Sequence, residues 1–156
     1  MVVDYSNENM KKLIFFLGII FLLVNRSYSQ VHFEPLSWQQ ALGKARQENK
    51  MIFIDVYTTW CTYCRQMDAN IFSLPEVGNF HNEHFINLRY DALKADGIAI
   101  RNGYRLLGFP TFLYLDPQGM VVKKTAGYQS KELLLQNSQM AFSLLAKPSA
   151  DTLAKQ

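Results

Sequence analysis

Two cysteines, Cys61 and Cys64, are the whole thiol content of this 156-residue chain, and they stand three residues apart just after the apolar run Met51–Tyr57. That run, MIFIDVY, is short and rich in β-branched and aromatic residues, which predicts a buried strand. It stops at Thr58-Thr59-Trp60, and a helix is expected to begin at Cys61. Closing a four-residue loop constrains an unfolded chain little, so a Cys61–Cys64 bond is a poor structural staple. Redox chemistry is then the reason for the pair. Cysteines at i and i+3 share one helical face and can bond across the first turn. The first occupies the helix N-terminus, where unsatisfied N–H groups and the macrodipole favour a thiolate. Cys61 is therefore expected to attack, and Cys64, one turn deeper, to resolve the mixed disulfide.

Elements on either side alternate between helix and strand. Residues 37–50 carry a capping box, Ser37 with Gln40, and place Trp38, Ala41, Leu42 and Ala45 on one face. The helix after Cys61 is expected to run to Ser73-Leu74-Pro75, and Pro75 opens a further short helix over 75–83. A second strand is predicted at Phe85–Asp91 and a helix near 95–104. After Gly108-Phe109-Pro110 comes a strand, Thr111–Leu115. The turn Asp116-Pro117-Gln118-Gly119 leads back along 120–125 as a hairpin. Ser130 caps a last helix over 131–145. This order predicts an α/β fold, with a central mixed sheet flanked by helices, a terminal β-hairpin and a C-terminal helix.

The first thirty residues read differently. Lys11 and Lys12 precede twelve apolar residues, 13–24, followed by a polar stretch with Ser27 and Ser29 at the −3 and −1 spacing. This is the pattern of a secretory signal peptide, with cleavage expected after Ser29. An uncleaved anchor is the alternative, but twelve residues rise only about 18 Å as a helix against a hydrocarbon core of about 30 Å. A mature chain of 127 residues and net charge +2 would remain, exported and periplasmic, large enough to fold around its own core. Lys and Arg are scattered, with no basic patch for nucleic acid.

The stretch 55–64, DVYTTWCTYC, resembles the active-site segment of thioredoxins, and Gly108-Phe109-Pro110-Thr111 resembles their cis-proline turn. The order of elements matches over nearly all the mature chain. Within that superfamily the chain is similar to exported proteins related to the C-terminal domain of the disulfide interchange protein DsbD. The resemblance implies three things. Asp55, six before Cys61, would be the buried acid that relays a proton to and from Cys64. Pro110 would follow a cis peptide, leaving the Phe109 backbone to pair with a substrate strand. Trp60 would cover the active site, and Thr62, Tyr63 and Phe109 would touch the sulfurs or the substrate. Here Thr62-Tyr63 replaces the Gly-Pro of thioredoxins, and Phe109 is bulkier than the residue usual before the cis-proline.

No cofactor is expected. His81 and His84, three apart, could complete a Cys2His2 zinc site on paper, but they read as surface or boundary histidines, and His32 as a solvated residue near the terminus. The function expected is dithiol–disulfide exchange on exported client proteins, with the resemblance favouring a reductant recharged by a membrane electron donor. The alternative is a peptide-binding or chaperone-like module with little turnover. Potentials in this superfamily span about −270 to −120 mV, so direction is not read from the motif.

Overall fold

The computed structural model describes residues 30–146, so the signal-peptide and cleavage expectations lie outside the described residues. Nine elements follow in chain order. They are α1 (Trp38–Glu48), β1 (Met51–Tyr57), α2 (Thr62–Met67), α3 (Pro75–His84), β2 (Phe85–Asp91), α4 (Ala95–Gly103), β3 (Thr111–Leu115), β4 (Val121–Ala126) and α5 (Lys131–Ala146). The strands form one sheet in the order β2-β1-β3-β4. β1 pairs parallel with β2, while β3 runs antiparallel to both β1 and β4. The hairpin therefore joins the sheet through β3 rather than lying beside it, which makes the sheet mixed as expected.

Local chemistry explains the boundaries. Ser37 accepts from the Gln40 N–H at 3.4 Å and its own N–H donates to Gln40 Oε1 at 2.9 Å, so the capping box forms. Pro75 stands in the first turn of α3, where its missing N–H costs nothing. The segment after α2 departs from expectation: Asp68–Phe72 widens into a π turn instead of continuing the α-helix.

Alternation along the strands sends side chains into two cores. Met51, Phe53, Phe85, Phe112 and Tyr114 meet Met67, Phe72, Val77 and Leu134 on one face. Ile52, Ile54, Val56, Leu88 and Leu113 meet Ala41, Ala45 and Ile100 on the other. Asp55 has the parity of Met51 and Phe53, so it points toward the face that carries α2. The sheet's alternation, more than any local preference, aims this carboxyl at the cysteine helix.

His81 corrects the sequence reading. It is fully buried, edge-to-face with the Phe53 ring, centroids 4.5 Å apart. Its Nε2 meets the Ser138 hydroxyl at 2.9 Å and its Nδ1 meets Asn87 Oδ1 at 3.3 Å, and Ser138 in turn meets the Tyr114 hydroxyl at 3.1 Å. Both ring nitrogens are used inside the core. The helical period of α3 turns this residue inward, which its polarity had hidden. His84 lies half-buried against Phe80 and Phe142. Among the described residues no group of three or more His, Cys, Asp or Glu is placed to hold a metal. His32 is exposed, with its backbone N–H on Asn82.

Candidate active site

β1 ends at Tyr57, and three residues later the chain turns into α2 with Cys61 as the N-cap. The Cys61 N–H donates to the Thr58 carbonyl at 3.2 Å, closing that turn. Cys61 and Cys64 are joined as a disulfide, with Cα atoms 5.3 Å apart. The Cys64 N–H donates to Cys61 Sγ at 3.1 Å, so the first sulfur receives a helix-terminal N–H that would otherwise be unpaired. Cys61 is 5% exposed and Cys64 2%, which makes the first cysteine less open than its position at a helix start suggests.

The residues around the sulfurs divide by exposure. Trp60 and Tyr63 stand out in solvent, at 67% and 58%. Trp60 makes an edge-to-face contact with Phe109, ring centroids 6.4 Å apart. The Thr62 hydroxyl accepts from Arg65 at 3.2 Å. The Phe109–Pro110 peptide is cis, and the Pro110 carbonyl accepts from the Gly127 N–H at 2.8 Å. Sheet pairing stops there, leaving half-buried Phe109 at the rim.

An ionic cluster that the sequence reading only half found reaches the cleft that Cys64 lines. Asp55 is 1% exposed, and the parallel register sets Arg89 of β2 opposite it. Arg89 Nε lies 3.1 Å from Asp55 Oδ2 as an ion pair, without the alignment of a hydrogen bond. The outer nitrogens of Arg89 hold Asp68 in a two-pronged contact at 2.6 and 2.7 Å. The guanidinium also lies over the Tyr57 ring, 4.3 Å from its centroid. Burial pushes the Asp55 carboxyl up to about 7; Arg89 pulls it down and the charge of Asp68 pushes it up. A carboxyl that titrates near neutrality can take or give a proton there.

Arg89 and Asp68 were missed. The available signal was an arginine within the otherwise mostly apolar strand FINLRYD, but its partner depends on strand register. A cleft of about 290 Å³ opens over this cluster, lined by Tyr57, Thr58, Thr59, Cys64, Arg65, Asp68 and Arg89.

Comparison with known proteins supports the same assignment. A family model for the thioredoxin-like domain matches residues 38–139. The thiol:disulfide interchange protein DsbD of Haemophilus influenzae is 28% identical over 102 residues, which is 64% of this chain but 18% of that protein. A solution structure from Bacteroides thetaiotaomicron, whose description gives disulphide-isomerase as a provisional assignment, is 33% identical. It covers 72% of this chain and 93% of its own, with a TM-score of 0.64. The reduced C-terminal domain of Neisseria meningitidis DsbD shares the fold at 24% identity and a TM-score of 0.56, covering 66% of this chain and 92% of its own.

Proposed function

The chain belongs to the thioredoxin-like domain family, and on that premise we propose that it is a thiol–disulfide oxidoreductase that reduces disulfides in exported client proteins. The observation that carries this reading is the Cys61–Cys64 disulfide at the N-terminus of α2, joined by a three-residue turn to the strand β1, whose buried Asp55 carboxyl is pushed up to about 7. Reduced Cys61, stabilised as a thiolate by the helix terminus, attacks a client disulfide. One client sulfur leaves as a thiolate, which takes a proton from solvent, and the other stays bound to Cys61. Asp55 then takes the proton of Cys64, and the Cys64 thiolate displaces the second client sulfur. The client departs as a dithiol and this chain as a disulfide, to be recharged by a membrane electron donor.

Trp60, Tyr63 and Phe109 would supply the apolar rim against which a client segment lies, with Thr62 between the sulfurs and Arg65. An extended client strand beside Pro110 would bring its disulfide to Cys61. The similarity to DsbD supports the reductant direction and an exported setting. Among the described residues no helix is long and apolar enough to cross a membrane.

Insulin reduction driven by a dithiol donor tests turnover, and the potential of the Cys61–Cys64 couple tests direction. A value near −270 mV is expected, whereas one near −120 mV would overturn the reductant direction. Peptide binding without insulin reduction would instead select a chaperone-like module.

A further inference from the structure

Four buried side-chain polar atoms among the described residues have no hydrogen-bond partner: Asp55 Oδ1 and Oδ2, Arg89 Nε and Thr58 Oγ1. The first three belong to one ion pair and are compensated by charge. Thr58 Oγ1 has no such compensation. Thr58 is 1% exposed, so its hydroxyl is buried unpaired, an arrangement proteins rarely keep without a reason.

Its position suggests the reason. Thr58 and Cys64 line the same cleft, and the Thr58 carbonyl accepts the Cys61 N–H, so this residue forms the floor of the redox turn. In the disulfide, Cys64 Sγ is bonded to Cys61, carries no proton and is a weak acceptor. Reduction changes that sulfur. A Cys64 thiol can donate to the threonine oxygen, and a Cys64 thiolate accepts strongly from its O–H.

We propose that the Thr58 hydroxyl is the redox-dependent hydrogen-bond partner of Cys64, and that by pairing only in the dithiol form it biases the Cys61–Cys64 couple toward reduction. Thr58 is then a potential-setting residue that acts through Cys64 and touches no client. The inference deepens the exchange function and rests on it only in requiring that the pair be reducible.

The test is equilibration of the full chain with glutathione. Two protein thiols plus glutathione disulfide give the protein disulfide and two glutathione thiols, so two electrons and two protons pass to glutathione. Thr58→Val keeps the side-chain shape and removes the hydroxyl. It is expected to move the equilibrium roughly tenfold toward the protein disulfide, the size of one lost hydrogen bond, or about 30 mV more negative. Thr58→Ser should restore the native equilibrium, and Thr58→Ala carries the same test should the valine variant fold poorly.

Unfolding both redox forms adds a readout that a purely structural role would not move. The oxidised Thr58→Val chain should gain stability, since an unpaired buried hydroxyl is gone, while the reduced form should gain none. Equal shifts in both forms with an unchanged equilibrium would overturn the proposal and would mean that solvent in the cleft satisfies the hydroxyl in either state. No client enters the measurement. Absence of client turnover beside a shifted equilibrium would defeat the exchange function and leave the role of Thr58 standing.

Discussion

Arg89 and Asp55 face each other across the parallel β1–β2 pair, Nε to Oδ2 at 3.1 Å, and the guanidinium that steadies Asp55 is gripped from outside by Asp68. The acid is therefore held between two opposed influences. Burial pushes its proton affinity up to about 7, and Arg89 keeps it from rising further. Replacing Arg89 by Met should raise the Asp55 pKa above 7 and shift the pH profile of exchange to the alkaline side. NMR titration of the Asp55 carboxyl measures this directly. An unmoved or lowered pKa would show that the ion pair has no hold on the acid.

Asp55→Asn should separate activity from stability. Asp55 has a folded pKa near 7 and an ordinary value of 3.8. The folded state therefore binds the extra proton between those values. Its stabilising effect is complete below about 3.8 and is lost as pH rises through 7. Above pH 7 the ionised buried carboxylate costs on the order of 4 kcal/mol, which asparagine avoids. Urea unfolding should find the variant more stable than the native chain at pH 8.5 and nearly equal at pH 4. The proposed proton relay from Cys64 to Asp55 further requires that client turnover fall in this variant.

The strands and the redox turn were legible because their signals are local. Phe85–Asp91 and Thr111–Leu115 lie where the apolar runs and the flanking turn residues place them, and the cysteine spacing dictates the N-cap geometry of Cys61. What escaped depends on distant parts of the chain. Arg89 becomes the partner of Asp55 only once the parallel register is set, and Asp68 reaches it from the π turn. His81 looks like a boundary residue until Ser138, 57 positions away, supplies its hydrogen bond. The Thr58 hydroxyl could not be recognised as unpaired before the fold enclosed it.

The two cysteines should differ in reactivity despite similar burial. Cys61 Sγ already accepts the Cys64 N–H and sits at the helix terminus, so in the reduced protein its thiolate is the better stabilised. Alkylation at neutral pH should label Cys61 first. Cys64→Ser should trap a mixed disulfide with clients, and Cys61→Ser should trap none. First labelling at Cys64 would reverse the assigned roles.

Trp60 offers a test of client recognition with little cost to the fold. Its side chain is 67% exposed and rests on Phe109 by an edge-to-face contact. Trp60→Ala should leave thermal stability nearly unchanged. Loss of an aromatic contact worth roughly 0.5–1.5 kcal/mol should slow exchange with a protein client up to about tenfold. Reaction with a small disulfide should change far less. Parallel losses on both substrates would place Trp60 in the chemistry of the sulfurs instead of in client binding.

His81 should reveal an acid sensitivity that Asp55 conceals. Burial pushes the His81 pKa down to about 4 from an ordinary 6.5. The unfolded chain thus binds a proton that the folded chain refuses. Stability from this group is complete above 6.5 and lost as pH falls toward 4, on the order of 3 kcal/mol. Asp55 acts oppositely over the same range, since its folded form is protonated and its unfolded form ionised. Between about pH 4 and 6.5 the two proton differences cancel, so these groups together leave native stability nearly flat. Asp55→Asn removes one side of the balance and should expose a steep acid loss below pH 6.5. His81→Gln removes the other and should make the chain gain stability steadily on acidification, although its baseline falls with the loss of core packing. Urea unfolding of both variants in half-unit steps from pH 4 to 7 measures the slopes. Parallel slopes in the two variants would mean that neither residue titrates as its burial requires.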